Sequence, residues 1–268
     1  IIVSDDDGGV SLRPAVYEEF SGVSVPSGWT SEVWDAQAGA STTVNGGQVS
    51  LDGTHVSYNT SVGPGTSIEF LATFTAGNFQ NIGFTGDPAF NNPWVVIGRG
   101  NLVNNNIYAR NSNNEIALLG SNLLNAPHTY RIQWLANNAF EFYVDGVLVS
   151  TPSITQTVGS NMVVQMSDYP AGGASLSIDW IRISPYTASG VYTSRIFDAG
   201  VPQNWGIASW TADVPSGTTL QLSQRQSNSS VAILGASWTS IPSNGASIGG
   251  TSQFVQYKAD FATSNTSL

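Results

Sequence analysis

The sequence predicts an all-β protein made of two modules of unequal size. Short runs of alternating apolar and polar residues recur from Val16 to Tyr186, and clusters of Gly, Pro and Asn separate them. No sustained 3.6-residue period interrupts this pattern, so we expect little helix. A chain of 268 residues is long for one compact core and suits two domains.

The clearest strands form a predicted three-strand meander between residues 129 and 149. In the first run, alternation places one set of side chains on a single face, namely Tyr130, Ile132 and Trp134. The run 139–144 alternates in the same way, and Asp145-Gly146 is a strong two-residue hairpin signal before the next run. Many such strands over about 170 residues predict a large two-sheet sandwich.

A linker-like stretch, S-P-Y-T-A-S-G at 184–190, breaks the pattern and marks the predicted domain boundary. We predict an N-terminal extension at 1–14, a first module at 15–187 and a smaller β-sandwich at 191–268. The second module has its own alternating runs, and three tryptophans are available for its core: Trp205, Trp210 and Trp238.

Composition excludes several classes of function. The chain has 18 acidic and eight basic residues and a net charge of −10, which disfavours nucleic acids and anionic membranes as partners. No stretch approaches the roughly 20 apolar residues that span a bilayer, so we expect no membrane insertion. Because cysteine is absent, disulfides and thiol chemistry are excluded.

The first module carries a series of short motifs. They are E-E-F-S-G at 18–22, G-G-Q-V-S-L at 46–51, H-T-Y-R-I-Q-W at 128–134, F-Y-V-D-G at 142–146 and D-W-I-R-I at 179–183. In this order and spacing they resemble the concanavalin-like jelly roll of laminarinases and lichenases. The resemblance implies a jelly-roll sandwich built on a saccharide-binding scaffold.

The second module, from 193 to 257, resembles a small β-sandwich that recurs beside such jelly rolls in large secreted bacterial proteins. This resemblance implies an extracellular or cell-surface location. Such modules continue past the segment matching 262–268 with a further strand, so the last strand of the sandwich is expected to be missing here.

The N-terminal residues Ile1, Ile2 and Val3 are β-branched and have no evident place in the jelly roll. One hypothesis is that residues 1–4 of one subunit complete the second module of the next. Such a head-to-tail contact would build an open filament. The alternative is that the sequence was cut from a longer chain and both loose ends are artefacts.

The resemblance does not extend to the catalytic residues. Laminarinase-type enzymes carry E-x-D-x-x-E on one strand, which places three carboxylates on the face of the cleft. This sequence has no such triplet, and the acids between residues 60 and 125 are only Glu69, Asp87 and Glu115. We therefore expect a non-catalytic module. A dispersed pair, for example Glu69 with Glu141, is the alternative, although alternation favours solvent-facing positions for both on an outer sheet.

The resemblance also implies a structural Ca²⁺ site. In the resembling enzymes, backbone oxygens near the E-F and G-G motifs and the aspartate of the D-W motif hold a cation. The matching residues here are Glu19, Gly47 and Asp179. Ca²⁺ takes six to eight oxygen ligands, so water would complete the shell. The alternative is that Asp179 only accepts a hydrogen bond in a turn.

Aromatic residues beside amides and charged groups make candidate sugar contacts, because pyranose faces stack on rings while hydroxyls form hydrogen bonds. The candidate residues are Trp94, Arg99, Tyr108 and Tyr169, which we expect near the concave face or its rim. The alternative is that Trp94 fills the core.

The function favoured by these patterns is a glycan-binding or adhesive module whose partner is a polysaccharide or a cell-surface glycan. The alternatives are a building block of a surface filament and a glycoside hydrolase with a dispersed acid pair.

Overall fold

The computed structural model of the protein describes residues 2–4, 9–101, 104–149 and 154–267. The chain divides into two compact units. One unit is Pro14–Pro185 together with Ser267, and the other combines the described residues up to Arg13 with Tyr186–Thr266. The helical segments described are two short 3₁₀ turns, Trp34–Ala36 and Ala232–Gly235. Within the described residues there is no helix with the length and apolar character needed to cross a membrane.

The strands, in chain order, are β1 (Ile2–Ser4), β2 (Val10–Leu12), β3 (Pro14–Glu18), β4 (Trp29–Val33), β5 (Ser41–Asn45), β6 (Gln48–Asp52), β7 (Thr54–Tyr58), β8 (Ser67–Thr73), β9 (Asn81–Thr85), β10 (Trp94–Gly98), β11 (Asn106–Asn111), β12 (Ile116–Ser121), β13 (His128–Trp134), β14 (Ala139–Val144), β15 (Val147–Leu148), β16 (Ile154–Thr155), β17 (Val163–Ser167), β18 (Leu176–Tyr186), β19 (Ser189–Thr193), β20 (Phe197–Asn204), β21 (Thr218–Ser227), β22 (Thr239–Ser240) and β23 (Thr251–Thr263).

The larger unit is the predicted all-β, concanavalin-like jelly-roll sandwich. A seven-stranded sheet has the order β12-β11-β10-β9-β17-β7-β4. A nine-stranded sheet has the order β15-β14-β13-β8-β18-β6-β5, with β16 on β14 and β3 on β18. Several neighbouring strands are far apart in sequence, for example β17 and β7 or β18 and β6, so long-range pairing defines the fold.

The predicted meander is confirmed in β13, β14 and β15, which pair consecutively. Tyr130, Ile132 and Trp134 are fully buried in the core between the sheets. Asp145 and Gly146 connect β14 to β15 with φ values of 49° and 76°. Positive φ at both central residues is the requirement of a type I′ hairpin, and Asp-Gly meets it at low cost.

The smaller unit contains a five-stranded sheet. Its long strand β23 pairs with β19, β20 and β21, and β22 pairs with β21. Its described strands otherwise form only the two-stranded sheet β1-β2, in which Ile2 lies opposite Leu12 and Ser4 opposite Val10. The strand β2 of the same chain therefore supplies the hydrogen-bonding partner of the N-terminal strand.

Ile1 and the side chains of Ile2 and Val3 lie outside the described part of the structure. A contact of this segment with another subunit stays a prediction, as does the small sandwich of the second module with a missing last strand.

Candidate functional site

The candidate site lies on the side of the seven-stranded sheet turned away from the core, which we call the outer face. In β10, an inner strand of this sheet, Val95 and Ile97 belong to the core. Since side chains alternate along a strand, Trp94 and Val96 point to the outer face. The same reasoning places Arg110 on the outer face of β11, where it lies opposite Val96.

Five rings in successive contact form an aromatic path on this side of the sandwich, made of Phe79, Tyr169, Trp34, Phe90 and Trp94. The centroid separations along it are 6.2, 6.4, 6.5 and 5.7 Å. The first three contacts have edge-to-face geometry, which the quadrupoles of aromatic rings favour. All five rings remain partly exposed. The path therefore offers ring surface to a ligand.

The loop between β9 and β10 places Phe90 on the path. The carboxylate of Asp87 accepts hydrogen bonds from the Ala89 amide at 2.9 Å and from the Asn91 side chain at 2.9 Å. The bond from Asn91 is the main cause that lowers the pKa of Asp87. A Cβ added at Gly86 would lie 2.7 Å from the Asn91 carbonyl oxygen, so the tight turn requires glycine there.

The same loop is tied to the sheet beneath it. The Gln165 side-chain amide donates to the Pro88 carbonyl at 2.7 Å and to the Ser57 hydroxyl at 3.0 Å. Gln165 and Ser57 are buried on the outer face of β17 and β7. The loop therefore lies across the outer face and is held by buried polar groups.

His55 links this polar group to the aromatic path. Its Nδ1 lies 3.2 Å from Gln165 Nε2, and its ring centroid lies 4.2 Å from that of Trp34. Glu32 Oε2 is 3.7 Å from His55 Nε2. Burial lowers the pKa of His55, and the nearby Glu32 carboxylate opposes that shift. The imidazole is therefore neutral at neutral pH.

The predicted sugar-contact residues fall into two groups. Trp94 and Tyr169 lie on the aromatic path, and Trp94 is outside the core cluster, so the alternative that it fills the core is wrong. Tyr108 lies on the outer face of β11, opposite Gly98 of β10, and its hydroxyl accepts from Asn104 Nδ2 at 2.8 Å.

Arg99 has a different position from the one we expected. It is only 3% exposed, and its guanidinium donates to the carbonyls of Thr75 at 3.1 Å and Asn104 at 2.5 Å. These bonds join two loops, because the first acceptor precedes β9 and the second precedes β11. The structure thus gives Arg99 a loop-holding role below the surface, and its contact with a glycan stays a prediction.

Asp168 anchors the end of the path at Tyr169. Its side chain is 2% exposed, and Oδ2 accepts from Gln80 Nε2 at 3.1 Å and from the Leu176 amide at 2.9 Å. Burial raises the pKa of Asp168 to about 7, although these two hydrogen bonds oppose the shift. The position of Tyr169 is thus linked to a carboxyl group that titrates near neutral pH.

Carboxylates are scarce on the strands of the seven-stranded sheet. All residues of the seven strands are described, and the single acid among them is Glu32. Glu69 and Glu141 lie on the other sheet, where Glu69 is opposite Arg131 and Glu141 is opposite Gln133. Because β13 separates their strands, their backbones are about 10 Å apart or more.

The predicted calcium residues belong to three segments that meet at β18. β8 occupies one edge of this strand, so β6 and β3 share the other. β6 begins directly after Gly47, and β3 ends directly before Glu19. Asp179 is the additional residue of a β-bulge at the end of the β6 pairing.

The groups that could bind a cation here are carboxylate and backbone carbonyl oxygens, which are the ligands that Ca²⁺ prefers. Burial raises the pKa of Asp179, and a hydrogen bond from the Gln48 side chain opposes that shift. The Glu19 carboxylate accepts a hydrogen bond from the Tyr17 hydroxyl. Among the described residues, no three acidic, His or Cys side chains lie where they could jointly hold a metal ion, so a cation here would depend mainly on backbone carbonyls and Asp179.

No family model matches the chain, and no curated protein matches it in sequence. Solved structures resemble it in architecture. A glycosyl hydrolase family protein from Mycobacterium fortuitum is 18% identical, with 65% of this chain and 100% of that chain covered and a TM-score of 0.47. An endo-β-1,3-glucanase from Pyrococcus furiosus is 14% identical, with 68% and 97% covered and a TM-score of 0.48.

A pseudo-β-1,3-glucanase of Mycobacterium tuberculosis is 16% identical, with 63% and 98% covered and a TM-score of 0.47. At identities and TM-scores this low, the likeness carries no argument about what this chain does. The assignment of the first unit to the concanavalin-like jelly rolls rests on its two described sheets.

Proposed function

We propose that the jelly roll is a non-catalytic glycan-binding module and that its ligand lies along the aromatic path. The observation that carries this proposal is the continuous series of partly exposed rings from Phe79 to Trp94. Contiguous exposed ring surface is uncommon on a soluble domain unless a ligand or partner covers it. Sugar rings suit such a surface, because their apolar faces stack on aromatic rings while their hydroxyls reach polar neighbours.

The length of the path supports a polysaccharide over a single sugar. Successive centroids are separated by 5.7 to 6.5 Å across four contacts, so the path exceeds the size of one pyranose ring. A polysaccharide partner in turn supports an extracellular or cell-surface location. An adhesive role would follow from the same contacts.

The distribution of carboxylates supports a non-catalytic role. Hydrolysis of a glycosidic bond by the usual mechanisms needs two carboxyl groups about 5 to 10 Å apart. Glu32 is the one acid on the strands of this sheet. Asp87 is engaged in its loop, and Asp168 is buried beneath the surface. We further propose a structural Ca²⁺ at Glu19, Gly47 and Asp179, where it would hold three segments of the nine-stranded sheet together.

The test is a glycan array followed by calorimetry on each glycan that binds. Trp34→Ala and Trp94→Ala should each weaken binding at least tenfold, since each removes a stacking platform. Trp180→Ala is the matched control, because Trp180 lies on the nine-stranded sheet and has an arginine over its ring, as Trp94 does. Unchanged circular dichroism would show that each variant folds. Absence of binding to any glycan at millimolar concentration, or equal loss in the control, would refute the proposal.

A further inference from the structure

Arg110 is a charged residue on the outer face that lacks a partner of opposite charge. Its guanidinium carbon lies 5.5 Å from the centroid of the Trp94 ring. Among the described residues, no carboxylate forms an ion pair with it and no hydrogen bond to its side chain occurs. The chain has only eight basic residues against 18 acids, so an unpaired arginine here is not explained by a shortage of acids.

A second tryptophan–arginine pair in this protein has the carboxylate partner that Arg110 lacks. On the nine-stranded sheet, Arg182 lies 4.2 Å from the Trp180 ring centroid, and its Nη1 is 3.8 Å from Glu69 Oε2. The carboxylate of Glu69 thus completes that pair. On the outer face of the seven-stranded sheet the tryptophan and the arginine are present, and the position of the carboxylate is left to solvent or to a ligand.

The Arg110 guanidinium packs against the backbone at Gly100. A Cβ added at Gly100 would lie 2.9 Å from Nη1 and 3.1 Å from the guanidinium carbon. The guanidinium therefore rests against Gly100 as well as over Trp94. Burial lowers the pKa of Arg110, yet arginine keeps its charge at any physiological pH. A partly desolvated, unpaired charge is costly, and an anion that binds it recovers part of that cost.

We propose that the Trp94–Arg110 end of the aromatic path binds an acidic sugar, with its ring against Trp94 and its carboxylate on the Arg110 guanidinium. This inference rests on the proposed glycan-binding function and adds a ligand class, polysaccharides that contain uronic acids. The guanidinium lies over the indole and keeps N–H donors in its own plane, which match the two oxygens of a carboxylate. A sulfated sugar presents related chemistry with a different geometry.

The test compares oligosaccharides that differ only at C6, one series with a hydroxymethyl group and one with a carboxylate, and adds a sulfated series. Titrations at about 0.15 M salt, where the Debye length is about 8 Å, confine charge effects to the subsite. The wild-type protein should bind the carboxylate series at least tenfold more tightly than the neutral series. Arg110→Gln should abolish that preference, so that the carboxylate and neutral series bind with similar affinity.

Two further variants sharpen the experiment. Gly100→Ala should displace the guanidinium without changing any charge, and should therefore reduce the preference as Arg110→Gln does. Arg195→Gln, on the smaller unit, makes the same change of net charge at an exposed arginine stacked on Phe197, and should have no effect. Melting curves check that all variants fold.

The outcomes separate this inference from the proposed function. If neutral and acidic sugars bind equally, or if Arg110→Gln retains the preference, the acidic subsite is refuted and glycan binding stands. If the sulfated series alone is preferred, the uronic acid assignment is wrong. If no series binds, both proposals fail.

Discussion

Trp34 covers the imidazole of His55, with the two ring centroids 4.2 Å apart and the planes inclined at 37°. This contact joins the aromatic path to the buried polar group of Gln165 and Ser57. Trp34 Nε1 also donates to the Ser167 hydroxyl at 3.1 Å, so the indole is held on both its face and its edge. These contacts restrain the middle of the path, and such restraint reduces the entropy lost when a ligand binds.

The first prediction concerns His55 and pH. Its pKa is lowered in the folded protein, so the unfolded chain takes up a proton more readily when the pH falls. The stability contributed by neutral His55 is present above the unfolded pKa of about 6.5 and is lost as the pH falls below it. His55→Gln should therefore reduce the loss of stability between pH 7 and pH 5, measured by denaturant unfolding at each pH.

His128→Gln is the control, since His128 is the first residue of β13 in the nine-stranded sheet and bonds to Asp145. An equal change in the two variants would show that the pH dependence does not come from burial of His55.

Asp168 should have the opposite dependence. Its pKa is raised to about 7 in the folded protein, well above the unfolded value, so folding favours the protonated carboxyl. This contribution is fully present below the unfolded pKa of about 4 and is lost as the pH rises through the folded pKa. The contribution of Asp168 to stability should therefore decrease between about pH 4 and about pH 7 and change little above that, and Asp168→Asn should remove most of that decrease. A variant with the wild-type slope would contradict a buried, titrating Asp168.

Removal of calcium should lower the melting temperature. A ligand that binds only the folded state adds about 2.7 kcal/mol at a hundredfold excess over its Kd. For a unit of this size that corresponds to roughly 5–10 °C. EDTA should cause this decrease in the wild type and have no effect on Asp179→Ala. Asp87→Asn, in the loop on the other sheet, should keep the response. An unchanged wild-type curve together with elemental analysis that finds no metal would exclude the site.

The N-terminal pairing predicts a monomer. Because β1 pairs with β2 of the same chain, removal of residues 1–8 should destabilise the smaller unit and leave the mass in solution that of one chain. Sedimentation at increasing concentration measures the mass, and thermal unfolding measures the stability. Oligomers of the full chain that disappear in the truncated protein would instead favour exchange of strands between subunits.

Local sequence patterns determined the class of fold and the exposed or buried side of many strands. The alternation in Tyr130, Ile132 and Trp134 and the hairpin at Asp145-Gly146 are properties of a few neighbouring residues, so the sequence alone predicts them. Trp94 and Tyr169 were also identified from local composition.

Only the tertiary structure decided which of these residues share a surface. No neighbouring residues in the sequence mark Trp34 and His55 as part of a site. Trp34 contacts Tyr169 and His55 contacts Gln165 because β7 pairs with β17, and these strands are more than 100 residues apart in sequence. Neighbouring residues favour Arg99 as a ligand contact, yet its guanidinium bonds to the carbonyl of Thr75 in the loop between β8 and β9 as well as to that of Asn104 in its own loop. Strand order and loop packing result from hydrogen bonds and burial summed over the whole sandwich, and short-range periodicity does not contain that information.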